Sequence, residues 1–226
     1  MLTRSFVLVP SATFAYFVAI GALLPALPLY VQGPLDGGTV SVGLAVGSFS
    51  LAALLLRPWA GRLGDRRGRR VLVVGGAALV AASTAGYVVA TSLAVLVALR
   101  LVTGAGEALF FIGVVTAAND LAPEHRRAEA MSLFSLAPYA GVAVGPVLAE
   151  AMLGDGAFVA VWVITAASAL VATGIGLVLP DTGIIRPLGT EPGRRSLVHP
   201  AGLLPGAVLL TIFVGFGGFN AFVALY

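Results

Sequence analysis

An all-α polytopic membrane protein is the fold class this sequence predicts, on three observations. Apolar residues make up 59% of the 226 and charged residues only 10%, against about 45–50% and about 25% in a soluble domain. The apolar residues gather into runs of about 20, the length that crosses a bilayer as a helix. The connections between runs alternate between arginine-rich and arginine-free. With a mean hydropathy of +1.03, the chain is neither an ordinary soluble enzyme nor a disordered segment, which needs the opposite balance. A net charge of +3 on so apolar a chain argues against nucleic acid as a partner, despite the high pI. The absence of Cys excludes a disulfide framework and any thiolate metal or redox centre. The expected solvent is the lipid bilayer.

Seven spans follow in order. The first, 6–31, exceeds the roughly 7–15 apolar residues of a signal peptide and ends in no small-residue cleavage site, so it is expected to remain as a helix. Pro25 and Pro28 should break it near its outer end, either because a kinked helix lines a cavity there, with Tyr30 as a candidate cavity residue, or simply because proline is common in membrane helices. The second, 41–59, contains Arg57. The third and fourth, 71–90 and 93–118, are joined by the two-residue hairpin Thr91-Ser92 and should be antiparallel neighbours. Asn119 and Asp120 are expected to cap span four. The fifth and sixth are 130–153 and 157–179. The seventh, 203–226, is glycine-rich and carries Asn220, a polar group at membrane depth that suits either substrate contact or helix packing.

All 13 basic residues are arginines, and eleven lie outside the spans. They fall in the amino terminus and in 60–70, 119–129 and 180–202, whereas 32–40, 91–92 and 154–156 have none. The positive-inside rule then places the amino terminus in the cytoplasm. The Pro-, Gly- and Arg-rich stretch 180–202 reads as a cytoplasmic linker. It separates a six-helix bundle over 1–179 from a seventh helix, 203–226, expected to begin a second, incomplete bundle. The chain is expected to be half of a larger protein, its remainder supplied by a missing C-terminal bundle or by a partner chain.

Between spans two and three stands GRLGDRRGRR, residues 61–70. Gly61, Gly64 and Gly68 allow sharp turning and close backbone approach. Asp65, set among five arginines, can pair with them or with the positive end of a helix. A basic turn touching anionic lipid headgroups would explain the arginines, but not the acid or the glycine spacing. Position by position, Gly61-x-Leu63-x-Asp65-Arg66-x-Gly68-Arg69-Arg70 resembles the loop signature of major facilitator superfamily transporters, at the place where that family carries it. The resemblance implies two six-helix bundles, each of 3+3 inverted repeats, which rock between inward-open and outward-open states. By that resemblance Gly61, Asp65, Arg66, Gly68, Arg69 and Arg70 form a conformational gate that latches the bundles on the cytoplasmic side.

Arg100 and Glu107 lie within span four. Ionisable groups at mid-membrane cost about 2.5–3.5 kcal/mol each on insertion scales and face a cavity or a partner. Seven residues is nearly two turns, so both emerge from one face about 10 Å apart, too far for a direct pair. They either fix helix packing through buried hydrogen bonds or serve the protein's chemistry. In the second case the desolvated Glu107 exchanges a proton near neutral pH, and Arg100 tunes it or holds an anionic group. Gly104 and Gly106 let a neighbouring helix approach. Arg100-x-x-x-Gly104-x-Gly106 also resembles the family's fourth-span motif, associated with proton coupling in exporters. Many of those exporters carry an Asp in span one; this chain has Gly21-Ala22-Leu23-Leu24-Pro25 there.

In span five, Gly141, Gly145 and Pro146 suit close packing and a bend. They resemble the family's antiporter signature, which continues with two further glycines where this chain has Ala149 and Glu150. Residues 122–129 resemble the family's link between spans four and five. His125 and His199 lack metal-ligand spacing, and no metal or cofactor is expected. No phosphate-binding loop, zinc-protease motif or nucleophile elbow occurs, so the chain is not expected to be an enzyme. The expected function is proton-coupled efflux of small molecules by alternating access, in the cell membrane (the inner membrane of a bacterium). The alternatives are an importer or uniporter on the same fold, or a truncated, non-transporting fragment that needs a partner chain.

Overall fold

The computed structural model describes residues 4–154 and 156–182, together with Leu204, Gly206, Ala207, Val208 and Thr211. Asn220, His199, most of the expected seventh span and nearly all of 180–202 lie outside the described residues. The chain divides into Met1–Ile185 and Arg186–Tyr226. In the second unit, the Thr211 hydroxyl donates to the Ala207 carbonyl at 3.0 Å. In the first, six long helices follow one another: α1 (Arg4–Gln32), α2 (Thr39–Arg67), α3 (Arg69–Ala85), α4 (Leu93–Leu121), α5 (Arg127–Leu153) and α6 (Phe158–Val178). A 3₁₀ turn, Gly86–Val89, prolongs α3, and another, Glu124–Arg126, precedes α5. All six helices are long and apolar enough to cross a membrane, and no strand occurs among the described residues.

Lipid offers no hydrogen bonds, so the polar side chains in these helices satisfy themselves locally. Thr13, Thr84, Thr116 and Thr165 each donate to the carbonyl four residues back, at 2.6–2.8 Å. The same bonding corrects the expected cap of α4. Asn119 donates to the Val115 carbonyl at 3.0 Å, and the helix runs past Asp120 to Leu121. Ser92 does cap the start of α4, accepting the Val95 N–H at 3.4 Å. The expected break in the first helix is also absent: α1 continues through Pro10, Pro25 and Pro28. Neighbouring helices make that tolerable in a membrane protein.

The 60–70 connection shrinks to a single residue. Gly61 and Gly64 are helical within α2, and only Gly68 breaks the chain, with φ +88°. That left-handed conformation strains any residue with a β-carbon. The Asp181 carboxylate, following α6, packs against the same glycine. Apolar content placed the end of α2 too early, at 59 instead of Arg67, and the start of α3 slightly late, at 71 instead of Arg69, because arginine-rich sequence is still a good helix former.

α1 packs chiefly on α5 and α6, α4 packs chiefly on α2 and α3, and α3 meets α6. Exchanging the first three helices for the second three maps this pattern onto itself. Three is an odd number of crossings, so the second set runs opposite to the first, which is the arrangement of inverted repeats. One core joins Phe6, Val9 and Tyr16 of α1 with Val73, Phe110, Val114 and Phe134 from α3, α4 and α5. A second core gathers Leu23, Leu27, Tyr87, Leu96 and Trp162. There Trp162 meets both Tyr30 and Tyr87 edge-on, with ring centroids 5.4 Å apart. The least covered helices are α2 and α5, which are equivalent under the exchange.

Candidate functional site

Glycines bring the site's helices together. A β-carbon on Gly76 of α3 would sit 2.6 Å from the Gly106 carbonyl oxygen, and one on Gly106 would sit 2.7 Å from the Gly76 oxygen. Gly104, two residues before Gly106 on α4, faces the other way, against the Phe49 and Ala53 backbone of α2. The two glycines thus admit two neighbours rather than one. On α5, Gly141 lies against Phe14 and Phe17 of α1, and Gly145 against Val18 and Ala22. Pro146 reaches Gly21 of α1 at the same crossing.

Within this framework Arg100 and Glu107 turn to different partners. Arg100, 5% exposed, donates from Nε to the Ala45 carbonyl of α2 at 3.0 Å. Its guanidinium lies 4.5 Å from the centre of the Phe49 ring, a favourable cation–π placement. Glu107 is 7% exposed, and its Oε2 has no hydrogen-bond partner. The group facing it is Tyr16 of α1, fully buried, whose hydroxyl is likewise without a partner. The two lie close enough to act on one another through charge and hydrogen-bonding capacity, short of the geometry of a well-formed hydrogen bond. Arg57 of α2, above the Phe111 ring at 5.0 Å, also acts on the Glu107 charge.

Composition and spacing point to Arg100 and Glu107 but miss Tyr16. A tyrosine in an apolar run is ordinary, and only the fold puts its hydroxyl opposite the carboxyl. Arg57 carried a legible signal, as an ionisable residue within a span. Like Tyr16, a buried hydroxyl chain beside Arg100 is visible only in the fold. Tyr87 and Ser83 each meet Thr103 Oγ1, at 2.7 and 2.9 Å, and Thr103 donates to the Leu99 carbonyl. It ties α3 and the turn after it to α4.

At the cytoplasm-facing end of the sequence reading, Arg69 is buried and occupied. Its Nη1 meets Asp65 Oδ1 at 2.9 Å, and its Nε meets Asp120 Oδ2 at 3.3 Å. It therefore clasps α2, α3 and α4 within one bundle. Arg66 is exposed and Arg70 half-buried. Gly64 packs against Leu72, whereas Gly61 faces open space. Farther along, Arg126 meets Glu129 at 2.7 Å on the exposed start of α5. At the opposite end Tyr30, a candidate cavity residue, donates to the Ala90 carbonyl at 3.1 Å and braces α1 against the turn before α4. Glu150 is exposed at the end of α5. Among the described residues no group of three His, Asp or Glu could hold a metal.

Six apolar helices in an inverted-repeat packing, with a buried carboxyl inside, define a multi-pass helical membrane protein. Comparison with known proteins is specific about the kind. The family model of the Major Facilitator Superfamily matches residues 11–226, and the chain belongs to that family, one of transporters and not enzymes. An uncharacterized MFS-type transporter of Salmonella typhimurium, STM4428, is 29% identical over 96% of this chain. The quinolone resistance protein NorA of Staphylococcus aureus is 28% identical over 59% of it. The chain spans 58% and 34% of these two relatives' lengths, respectively. The crystal structure of the human organic anion transporter MFSD10 (TETRAN) superimposes with a TM-score of 0.62 at 24% identity, over 79% of this chain and 48% of that one.

Proposed function

We propose that the protein exports small molecules in exchange for protons, by alternating access. The observation that carries this is the buried Glu107 carboxyl, one oxygen unpartnered, on the α4 face toward α1. An unmet anion is costly there, and a proton or a cationic substrate relieves the cost. One group that accepts either, but not both together, is what antiport requires. The relationship to a protein named for quinolone resistance favours efflux over uptake. The chain's length relative to its relatives favours a second bundle, in the same polypeptide or a partner chain, lying over the least covered helices α2 and α5. The substrate site then lies between the bundles near the midplane.

The latch is narrower than the motif suggests. Arg69 is held by Asp65 and Asp120, so it keeps α2, α3 and α4 together, while the exposed Arg66 and the adjoining Asp65 face outward for the second bundle. Gly68 supplies the turn. The arginine-rich connections favour a cytoplasmic position for this end and for the amino terminus. The test is transport by the full-length protein in proteoliposomes with a pH gradient, using a radiolabelled quinolone as the probe. The unaltered protein should move the probe against its gradient with opposite proton flux, and Glu107→Gln should abolish the coupled proton flux. Uphill transport by Glu107→Gln equal to the unaltered protein's would overturn proton carriage by Glu107. Transport insensitive to the pH gradient would overturn proton antiport and favour the importer or uniporter.

A further inference from the structure

The Tyr16 ring is stacked on Phe110, with centroids 3.8 Å apart and planes within 9°, and meets Phe17 edge-on at 5.5 Å. Phenylalanine would serve that packing equally well. The hydroxyl is the unexplained part: fully buried, it has no hydrogen-bond partner. Buried polar groups in native proteins are overwhelmingly satisfied, so an exception calls for a cause. Here the exception is doubled, because Glu107 Oε2 opposite is unsatisfied too.

We propose that Tyr16 is a positioning residue for Glu107, making and releasing a hydrogen bond to its carboxyl as α1 and α4 move past one another. The inference rests on Glu107 as the proton carrier and adds the group that controls it. The chemistry suits both states of the carboxyl. A tyrosine hydroxyl donates to a carboxylate, and its oxygen accepts from a carboxylic acid. The other charged or titratable groups around the pair are otherwise engaged. Arg100, on the same helix, is bound to the Ala45 carbonyl and Phe49. Arg57, from α2, lies over Phe111, and Tyr87, from the turn after α3, is bonded to Thr103. No ion pair to Glu107 occurs among the described residues.

Packing explains why the contact can switch. α1 is locked to α5 through Gly21, Gly141 and Gly145, and α4 to α2 and α3 through Gly104, Gly106 and Gly76. The α1–α4 crossing has no such glycine contact among the described residues and is less extensive. Tyr16 and Glu107 thus face each other across the border between two tightly packed helix sets. A small displacement between the sets completes or breaks the bond without disturbing either.

The experiment is infrared difference spectroscopy of the full-length protein in liposomes across pH 5–9, with Glu107→Gln identifying the Glu107 bands. Tyr16→Phe keeps the ring stack and removes only the hydroxyl. It should move the Glu107 carbonyl stretch to higher frequency, as a lost hydrogen bond does, and change the protonation midpoint at least about threefold in proton concentration, about half a unit. In the Glu107→Gln background the same substitution should leave the remaining carboxyl bands unchanged. A Tyr16→Phe protein with the original Glu107 frequency and midpoint overturns the proposal. If Glu107 does not titrate in this range, proton carriage fails, and the band of whichever form is present still decides Tyr16: displaced supports the contact, undisplaced refutes it.

Discussion

Replacing Gly76 with alanine puts a methyl group 2.6 Å from the Gly106 carbonyl oxygen and 2.9 Å from the Phe110 Cα. Carbon contacts relax to about 3.5–4.0 Å, so α3 and α4 must separate by roughly 1 Å at this crossing. The obstacles are backbone atoms, and no side chain can rotate away. Overpacking of this kind costs about 1–3 kcal/mol. Alanine's advantage over glycine within a helix offsets about 0.5–1 kcal/mol of it. Gly75, the preceding residue in the same helix, has nothing within 4 Å of its alanine β-carbon. Gly75→Ala should therefore be neutral or stabilising by up to about 1 kcal/mol. The assay is thermal unfolding in detergent, read through tryptophan fluorescence, with both variants prepared alongside the unaltered protein. Gly76→Ala should melt lower and Gly75→Ala at the same temperature or higher. Displacing α4 also moves Phe110, on which Tyr16 is stacked, so Gly76→Ala should lose transport more than its stability loss explains. Equal melting temperatures for the two variants would refute the close α3–α4 packing.

Two further expectations concern the arginines. Arg69→Met removes both ends of the clasp between α2, α3 and α4, and should lower the melting temperature more than either Asp65→Asn or Asp120→Asn. Both carboxylates are partly exposed, so each single carboxamide should cost no more than about 1 kcal/mol. A clasp dispensable in the same melting assay would rule out a structural role for Arg69. Arg100→Lys keeps the charge but loses the planar group that binds the Ala45 carbonyl and faces Phe49. It should cost about 1.5–3 kcal/mol, the range for hydrogen bonds to charged groups. Melting and transport indistinguishable from the unaltered protein would contradict the contact.

The membrane class, six of the helices and the alternating arginine pattern were all legible in the residues, because each depends on local composition. About 20 apolar residues must span a bilayer wherever they occur. Helix ends were less legible. Arginine-rich residues 61–67 looked like a loop because hydropathy falls there, yet they complete α2, and the turn needs only Gly68 and its positive φ.

Partners were least legible. Arg100 and Glu107 stood out as costly charges at membrane depth, but sharing a helix face did not give them a shared environment. One is held by the α2 backbone, while the other faces Tyr16 of α1. Likewise Gly75 and Gly76 are identical in sequence terms, and only the α3–α4 crossing makes one replaceable and the other not. Local sequence determined what each segment is, since the cost of placing its residues in lipid is paid within the segment. Tertiary structure decided what each side chain does, since a hydrogen bond, an ion pair or a steric clash requires a second group that distant parts of the chain bring to it.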